Sequence, residues 1–192
     1  RQMCIRDRDK ELGTYIISEI SVGLEINSEY EYFVKSDNTV SINAYIGNSI
    51  SGTLNIPSHI NGKMVTEIGD SAFANNMYGN SMITEVVIPN TVEIIGKSAF
   101  ENCTNLESII FSEKSVLKTI DDSAFSGCTN IFNIAIPMQV EKIGNYAFAN
   151  CTNLSEVVVP NDSCMSGIYQ GAFYHCTGLR EISIPDTVRE IG

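Results

Sequence analysis

Residues 154–178 read LSEVVVPNDSCMSGIYQGAFYHCTG, and near-copies of this stretch occur on both sides of it. Upstream, residues 131–153 read IFNIAIPMQVEKIGNYAFANCTN, and residues 83–105 read ITEVVIPNTVEIIGKSAFENCTN. The shared pattern is L-x-x-I-x-I-P-x-x-V-x-x-I-G-x-x-A-F-x-x-C-T. Less regular or shortened copies begin at Asn55-Ile56-Pro57, Leu106 and Leu179.

The phenylalanine of the Ala-Phe pair marks the length of each copy. Successive phenylalanines lie 27, 25, 23 and 25 residues apart, at Phe73, Phe100, Phe125, Phe148 and Phe173. A period of roughly 20–30 residues with fixed apolar columns is typical of a solenoid, whose stacked coils bury one continuous core. We therefore expect these phenylalanines to point inward and to lie on top of one another.

Each copy predicts one short strand followed by a return path. Stretches such as Val157-Val158-Val159 are short and β-branched, and proline follows them and ends the strand because it has no N–H for a ladder. A glycine such as Gly144 then lets the chain turn. The following Ala-Phe fits one helical turn. The sequence thus predicts an α/β-type repeat solenoid, with short parallel strands on one face and short helical turns or loops on the other.

The first eight residues, RQMCIRDR, match nothing else in the chain. They resemble the translation of a transposon adapter used in sequencing. We expect residues 1–8 to be a non-native scar without a part in the fold. Because the last copy stops partway, at Gly192, we also expect the chain to be a piece of a longer protein.

Between this scar and the repeats, residues 9–50 are expected to form an N-terminal segment and a β-hairpin cap. Strands are predicted at Tyr30–Val34 and Val40–Tyr45, joined by a turn at Ser36-Asp37-Asn38. The hairpin would close the open edge of the first coil. The array itself is expected over residues 51–192, with about five repeats, a truncated sixth and a surface loop at Asn76–Met82.

The charge of the chain restricts its partners. It carries 23 acidic and 12 basic residues, for a net charge of −11. Proteins that bind nucleic acid take much of their affinity from a basic patch, so this charge disfavours nucleic acid and also an anionic membrane surface. No apolar run approaches the roughly 20 residues of a transmembrane helix, and no membrane insertion is expected.

The repeated pattern I-P-x-x-V-x-x-I-G-x-x-A-F-x-x-C-T-x-L, which includes Ile88-Pro89 and Cys103-Thr104, resembles the BspA-type leucine-rich repeat. The resemblance extends over about residues 29–192, with local departures such as Phe111-Ser112 in place of Ile-Pro. It implies a leucine-rich-repeat-like solenoid from a secreted or surface-anchored protein, bacterial in most members, that acts in adhesion to host proteins or other cells.

Cysteine recurs once per coil, at Cys103, Cys128, Cys151 and Cys176. Neighbouring coils lie about 5 Å apart, which is within the Cα separation of a disulfide. We nevertheless favour a ladder of buried free thiols, because cysteine packs as a small apolar residue and the repeat itself explains the column. Cys164 stands outside the column and is predicted to lie at or near the surface.

Patterns of catalytic or cofactor-binding sites are missing from the sequence. It contains no C-x-x-C, G-x-S-x-G, G-x-x-x-x-G-K or H-E-x-x-H. Its two histidines are His59 and His175, and the second is expected on the convex surface rather than beside a nucleophilic cysteine. We therefore predict no catalytic residue, no metal and no cofactor.

The strand of each copy does predict a binding face. With the two isoleucines of L-x-x-I-x-I pointing inward, the third and fifth places point outward, giving an apolar stripe beside a partly acidic one. Such a stripe can mark a partner site, although β-branched residues also favour strands for their own sake. The candidate partner-binding residues are Glu85, Val87, Ile110, Phe132, Asn133, Glu156, Val158 and Glu181.

Three classes of function are compatible with this reading. The preferred one is a non-enzymatic extracellular module that binds a protein, such as a host extracellular or cell-surface protein, through the sheet face. The alternative is a structural spacer or stalk that presents another domain of a longer surface protein. An enzyme fragment is disfavoured, because no constellation of catalytic residues is found.

Overall fold

The computed structural model describes residues 23–47, 51–74 and 82–192, and these residues form sixteen short strands. The expected scar, most of the segment before the hairpin and nearly all of the expected loop at Asn76–Met82 lie outside the described residues. The strands form two separate columns along a solenoid, so that each coil contributes one strand to each column.

The first column contains the strands expected from the L-x-x-I-x-I stretch, and all of its pairs are parallel. It divides into two three-stranded sheets, which we call the N-terminal and C-terminal front sheets. The N-terminal front sheet contains β4 (Gly52–Asn55), β7 (Ile83–Ile88) and β9 (Ser108–Phe111). The C-terminal front sheet contains β11 (Asn133–Ala135), β13 (Glu156–Val158) and β15 (Glu181–Ile182).

The second column was not predicted as strand, because its members are only two residues long in most coils. It forms a ten-stranded sheet, which we call the back sheet. Its repeat strands are β6 (Lys63–Ile68), β8 (Ile94–Ile95), β10 (Thr119–Ile120), β12 (Lys142–Ile143), β14 (Gly167–Ile168) and β16 (Glu190–Ile191), and β5 (His59–Ile60) pairs with β6.

The hairpin lies at the edge of the back sheet. Strands β2 (Tyr30–Val34) and β3 (Val40–Tyr45) are antiparallel and have the bounds expected from the sequence, and β1 (Gly23–Ile26) pairs with β2. Strand β3 then pairs in parallel with β6 of the first coil. The hairpin therefore satisfies the backbone groups that this edge would otherwise leave unpaired.

A column of stacked phenylalanine rings forms the centre of the core. The rings of Phe73, Phe100, Phe125 and Phe148 are fully buried, and each lies nearly parallel to the next with centroids 5.2–5.3 Å apart. Phe173 continues the column at 5.6 Å in the last coil. The inward position expected for these residues is confirmed.

The helical turns expected at Ala-Phe are wrong, and with them the α/β description. The described residues contain no α-helix, and the Ala-Phe segments form turns. Within these turns Phe100 N–H donates to the carbonyl of Ala124 at 2.8 Å, and Phe125 N–H donates to that of Ala147 at 2.8 Å. An α-helix would instead pair each N–H with the residue four before it. The bonds between coils replace the bonds within a helix, and the fold is an all-β solenoid.

Left-handed residues also prevent helix formation in these turns. Ser98, Ser123 and Tyr146 have φ angles of 53°, 55° and 55°, which a right-handed helix does not accommodate. Each lies two residues before its phenylalanine, and its N–H also donates to the next coil. These left-handed positions could not be predicted from residue type, because serine and tyrosine are not typical left-handed residues.

The glycine that follows several of the back strands has a different reason from the one expected. Gly144 is not among the left-handed residues. A Cβ atom at this position would lie 2.6 Å from the backbone carbon of Asp121, in the preceding coil. Glycine is therefore favoured here by the close approach of neighbouring coils rather than by a turn.

Candidate functional site

The front sheets present the side chains that the sequence placed outward. Along β13, Val157 is buried, whereas Glu156 and Val158 on either side of it are exposed. Val158 exposes 46% of its surface and Ile110 exposes 43%. Asn133 and Glu181 are also exposed, while Glu85 and Val87 on β7 are half-buried. All the candidate residues on the strands thus lie on the outer surface of the front sheets.

The expected stripe is divided rather than continuous. Its members Glu85, Val87 and Ile110 lie on the N-terminal front sheet, whereas Asn133, Glu156, Val158 and Glu181 lie on the C-terminal one. Strand β9 pairs with β7 and β11 pairs with β13, but β9 and β11 belong to different sheets. The structure therefore separates the candidate residues into two groups.

A groove of about 730 Å³ lies across the C-terminal front sheet. Phe132 lines the groove and exposes 62% of its surface, the largest value among the candidate apolar residues. Phe132 was among the candidate partner-binding residues predicted from the sequence, whereas the groove was not predicted. Besides Phe132, the groove is lined by Ser155, Glu156, Val158, Arg180 and Glu181, among others.

The register of the strands arranges the outward side chains in rows across the C-terminal front sheet. Asn133 pairs with Glu156, and Glu156 pairs with Glu181, so that two carboxylates lie next to each other on neighbouring strands. Ala135 pairs with Val158 in the parallel apolar row. Within the described part of the chain, the ion pairs involve neither of these glutamates nor Arg180. The carboxylates therefore face solvent with their charges uncompensated by a salt bridge.

Hydrogen bonds between coils fix the edge of the groove. Ser155 donates its backbone N–H to the carbonyl of Phe132 at 2.8 Å, and its hydroxyl donates to the same oxygen at 3.1 Å. The side-chain amide of Asn153 donates to Oδ1 of Asn130 at 3.4 Å. These bonds hold the coils that carry Phe132 and Glu156 in a fixed relation, so the groove is largely preformed.

A second groove, of about 510 Å³, was missed by the sequence analysis. It lies beside the division between the front sheets, where Phe111, Val116 and Met138 line it. Val116 and Met138 are exposed. Both residues lie in the turns after the front strands, outside the third and fifth places, which explains why the periodic pattern did not identify them.

The cysteine column consists of free thiols, as favoured from the sequence. Cys103, Cys128 and Cys151 are fully buried. Each Sγ donates to the carbonyl of the phenylalanine in the coil before it, over 3.1–3.3 Å, and Cys176 repeats the contact with Phe148 at 3.0 Å. Burial raises the pKa of Cys103 to about 12 and raises that of Cys128 well above its ordinary value. The three fully buried thiols stabilise the stack and are unsuited to nucleophilic chemistry, whereas the neighbouring thiol of Cys151 lowers the pKa of the half-buried Cys176.

Iodoacetamide at pH 8 is expected to modify Cys164 in the folded chain and to leave Cys103 and Cys128 unmodified. Cys164 is exposed, whereas the other two thiols are buried and stay protonated, and only thiolates react. Peptide mass spectrometry after digestion measures the modification at each site. Labelling in urea, where all thiols react, is the positive control. Rapid labelling of Cys128 without denaturant would contradict the buried column.

The histidines and the carboxylates are the remaining residue types that could take part in catalysis or metal binding. His175 is exposed, and its ring lies 4.2 Å from that of Tyr174. In residues 23–47, 51–74 and 82–192, no group of three or more His, Cys, Asp or Glu side chains is arranged to hold a metal ion. Across the same three segments, no helix has the length and apolar character required to span a bilayer.

Solved structures resemble this solenoid. TpLRR, a leucine-rich repeat protein of T. pallidum, is 27% identical over 84% of this chain and 83% of its own, with a TM-score of 0.68. A leucine-rich cell-surface protein of Faecalibacterium prausnitzii is 28% identical over 87% of this chain but only 50% of its own, with a TM-score of 0.62. The pneumococcal vaccine antigen PcpA, at 22% identity, shares the fold over 94% of this chain and 46% of its own, with a TM-score of 0.72.

The repeats themselves assign the family. No curated protein matches the chain. The family model described as the BspA-type leucine-rich repeat region, however, matches six copies over residues 66–192, which is well over half of the chain. Together with the stacked coils and the bacterial leucine-rich repeat structures that resemble them, this match shows that the chain belongs to the BspA-type leucine-rich repeat family.

Proposed function

We propose that the chain is a non-enzymatic protein-binding module that acts in adhesion and binds its partner through the front sheets. The observation that carries this proposal is the groove across the C-terminal front sheet, where Phe132 and Val158 are exposed beside carboxylates that form no salt bridge within the described residues. Large apolar side chains with a polar rim are typical of surfaces that bind another protein.

The exposure of these side chains supports a role in binding. Ile110, Phe132 and Val158 each leave more than two fifths of their surface in water, whereas Ile134 and Val157 on the inner face of β11 and β13 are buried. Transferring this apolar surface to a partner would be favourable, at about 25 cal/mol per Å² of area removed from water. The sheet faces of solenoids provide extended surfaces of this kind.

The family supports a location outside the cell. Its relative from Faecalibacterium prausnitzii is described as a cell-surface protein. We propose that this chain is likewise part of a bacterial surface or secreted protein, and that its partner is a protein of a host surface or extracellular matrix. The chain spans only half of that relative's length, so the proposal concerns the repeat region.

Replacing Ile110 and Val158 by glutamate is expected to weaken binding at least tenfold while the chain stays folded. Each substitution places a charge where a partner would bury an apolar side chain. Burying an unpaired charge costs more than the roughly 1.4 kcal/mol that corresponds to a tenfold change in affinity. Binding to purified plasma and extracellular-matrix proteins is measured by biolayer interferometry, and folding is checked by circular dichroism.

The matched control replaces Ile26 and Met64 by glutamate. These residues expose 39% and 44% of their surfaces and lie on β1 and β6 of the back sheet, so the control adds the same charge to a different face. Binding that the control retains and the Ile110→Glu/Val158→Glu variant loses supports the proposal. Equal affinities of all three chains for a bound protein would reject the front sheets as the site. Failure of the unmodified chain to bind any of these proteins would favour a spacer.

A further inference from the structure

We infer that the groove across the C-terminal front sheet binds an extended peptide segment in which a basic side chain and an apolar side chain are two residues apart. This inference rests on the proposed function and specifies the chemistry of the partner. It is based on the spacing of two rows in the groove, one formed by Glu156 and Glu181 and the other containing Val158.

The carboxylate row selects the basic side chain. Because Glu156 and Glu181 occupy paired positions on neighbouring parallel strands, their carboxylates start from backbones about 4.8 Å apart. Like charges at this distance repel each other, and in the described chain neither forms a salt bridge. A lysine ammonium or an arginine guanidinium placed between them would contact both carboxylates and relieve the repulsion.

The apolar row selects the second side chain. Val158 lies two residues after Glu156 on β13, and both point to the same face of the sheet. Two residues of a strand extend about 6.6 Å, which is also the distance between alternate side chains of an extended peptide. A peptide parallel or antiparallel to β13 can therefore place its basic residue over Glu156 and its apolar residue over Val158.

Arg180 restricts how the peptide lies. It occupies the place before Glu181 and lines the same groove, on the other side of the carboxylate row from Val158. A second basic residue of the ligand at that position would be repelled, so a polybasic segment gains less than its charge suggests. Replacing Arg180 by glutamine is therefore expected to strengthen, not weaken, the binding of a singly basic peptide.

The test uses the full chain and three fluorescein-labelled peptides. The reference peptide is Ser-Thr-Lys-Thr-Leu-Thr-Ser, one counterpart has Gln in place of Lys, and the other has Ala in place of Leu. Fluorescence anisotropy at about 50 mM salt measures their affinities. The reference peptide is expected to bind about three- to fivefold more tightly than the Gln counterpart, in keeping with the strength of partly exposed charge pairs. It is expected to bind at least about threefold more tightly than the Ala counterpart, which places less apolar surface against Val158. The advantage over the Gln peptide should largely disappear at about 1 M salt, where the Debye length is about 3 Å.

Variants of the protein assign the effect to the groove. Glu156→Gln/Glu181→Gln is expected to remove the preference for lysine, whereas Glu29→Gln/Glu190→Gln, which changes the net charge equally at exposed positions outside the front sheets, should retain it. Equal binding of the lysine and glutamine peptides, no binding of any peptide, or equal effects of the two double variants would each overturn the inference. The proposed function would still stand if Ile110→Glu/Val158→Glu reduced binding to an extracellular protein.

Discussion

Replacing Phe125 by alanine is expected to lower the free energy of unfolding by about 3–5 kcal/mol. The ring is fully buried and lies parallel between Phe100 and Phe148, at centroid distances of 5.2 and 5.3 Å. Truncation removes both contacts and leaves a cavity between two coils. The backbone on either side can collapse only slightly, because the N–H of Phe125 is already bonded to the carbonyl of Ala147 in the next coil.

Equilibrium unfolding in urea measures this loss, with Phe132→Ala as the control. Phe132 is the same residue type one coil along the sequence, but it exposes 62% of its surface. Its replacement should change the free energy of unfolding by about 0.5 kcal/mol or less, as is usual for surface substitutions. Similar effects of the two substitutions would contradict the stacked core.

The damage should also be local, because each coil of a solenoid contacts only its neighbours. Hydrogen exchange in Phe125→Ala is expected to accelerate first at the amides that join its coil to the adjacent ones. Two such amides are those of Phe100 and Ser123, which donate to the carbonyls of Ala124 and Asn145. Faster exchange that began instead in the hairpin, at β2, would show that the array unfolds as one unit.

Much of this architecture could be predicted from the sequence because the same apolar pattern recurs in each copy. The period of the Ala-Phe pairs predicted the stacking of Phe100 on Phe125, since residues in the same place of successive coils must lie above one another. The hairpin strand at Tyr30–Val34 was also predicted with its observed bounds, because its residues are typical of strands and a turn follows them.

The failures arose where backbone contacts between coils, which leave little trace in residue type, determine the conformation. Ile94–Ile95 forms a strand because it pairs with the coils before and after it, although two residues carry no periodic signal of their own. The Ala-Phe turn was expected to be helical. Its Phe100 N–H instead donates to the carbonyl of Ala124 in the next coil, which is incompatible with the hydrogen bonds of a helix. Tertiary hydrogen bonding thus overrode local propensity in each coil.

The candidate site was predictable in part for the same reason. Alternation along Glu156–Val158 identifies which side chains face outward, because successive residues of a strand point to opposite faces. It does not show where pairing between neighbouring coils stops, as it does between β9 and β11, and so it could not predict the division of the stripe. The groove forms between side chains of three successive coils, and alternation within one strand does not predict how these side chains pack together.

Raising the pH above about 9 is expected to destabilise the chain steeply through its buried thiols. The folded chain holds the proton of Cys103 until the pH approaches its pKa of about 12, and burial raises the pKa of Cys128 in the same direction. Unfolded thiols titrate near their ordinary pKa of about 8.5–9. Above that pH the unfolded state therefore binds fewer protons than the folded state, and the free energy of unfolding falls.

For Cys103 the expected slope is about 1.4 kcal/mol per pH unit, on the order of 2.5 kcal/mol between pH 9 and pH 11, and Cys128 adds to the loss in the same direction. Below pH 8 the contribution is fully present and stability should be insensitive to these groups. Urea unfolding at pH 8, 9.5 and 10.5, with a phosphine reductant to keep the thiols reduced, measures the change.

The matched variant for this experiment is Cys103→Ser/Cys128→Ser. Serine has nearly the same shape and can donate the same hydrogen bonds to the carbonyls of Phe73 and Phe100, but it does not titrate in this range. Tyr30, whose pKa burial raises to about 12, remains in both chains, so the difference between them isolates the two thiols. The serine variant should lose much less stability between pH 8 and pH 10.5. Parallel pH profiles would mean that the thiols ionise in place, and the column would then be open to water.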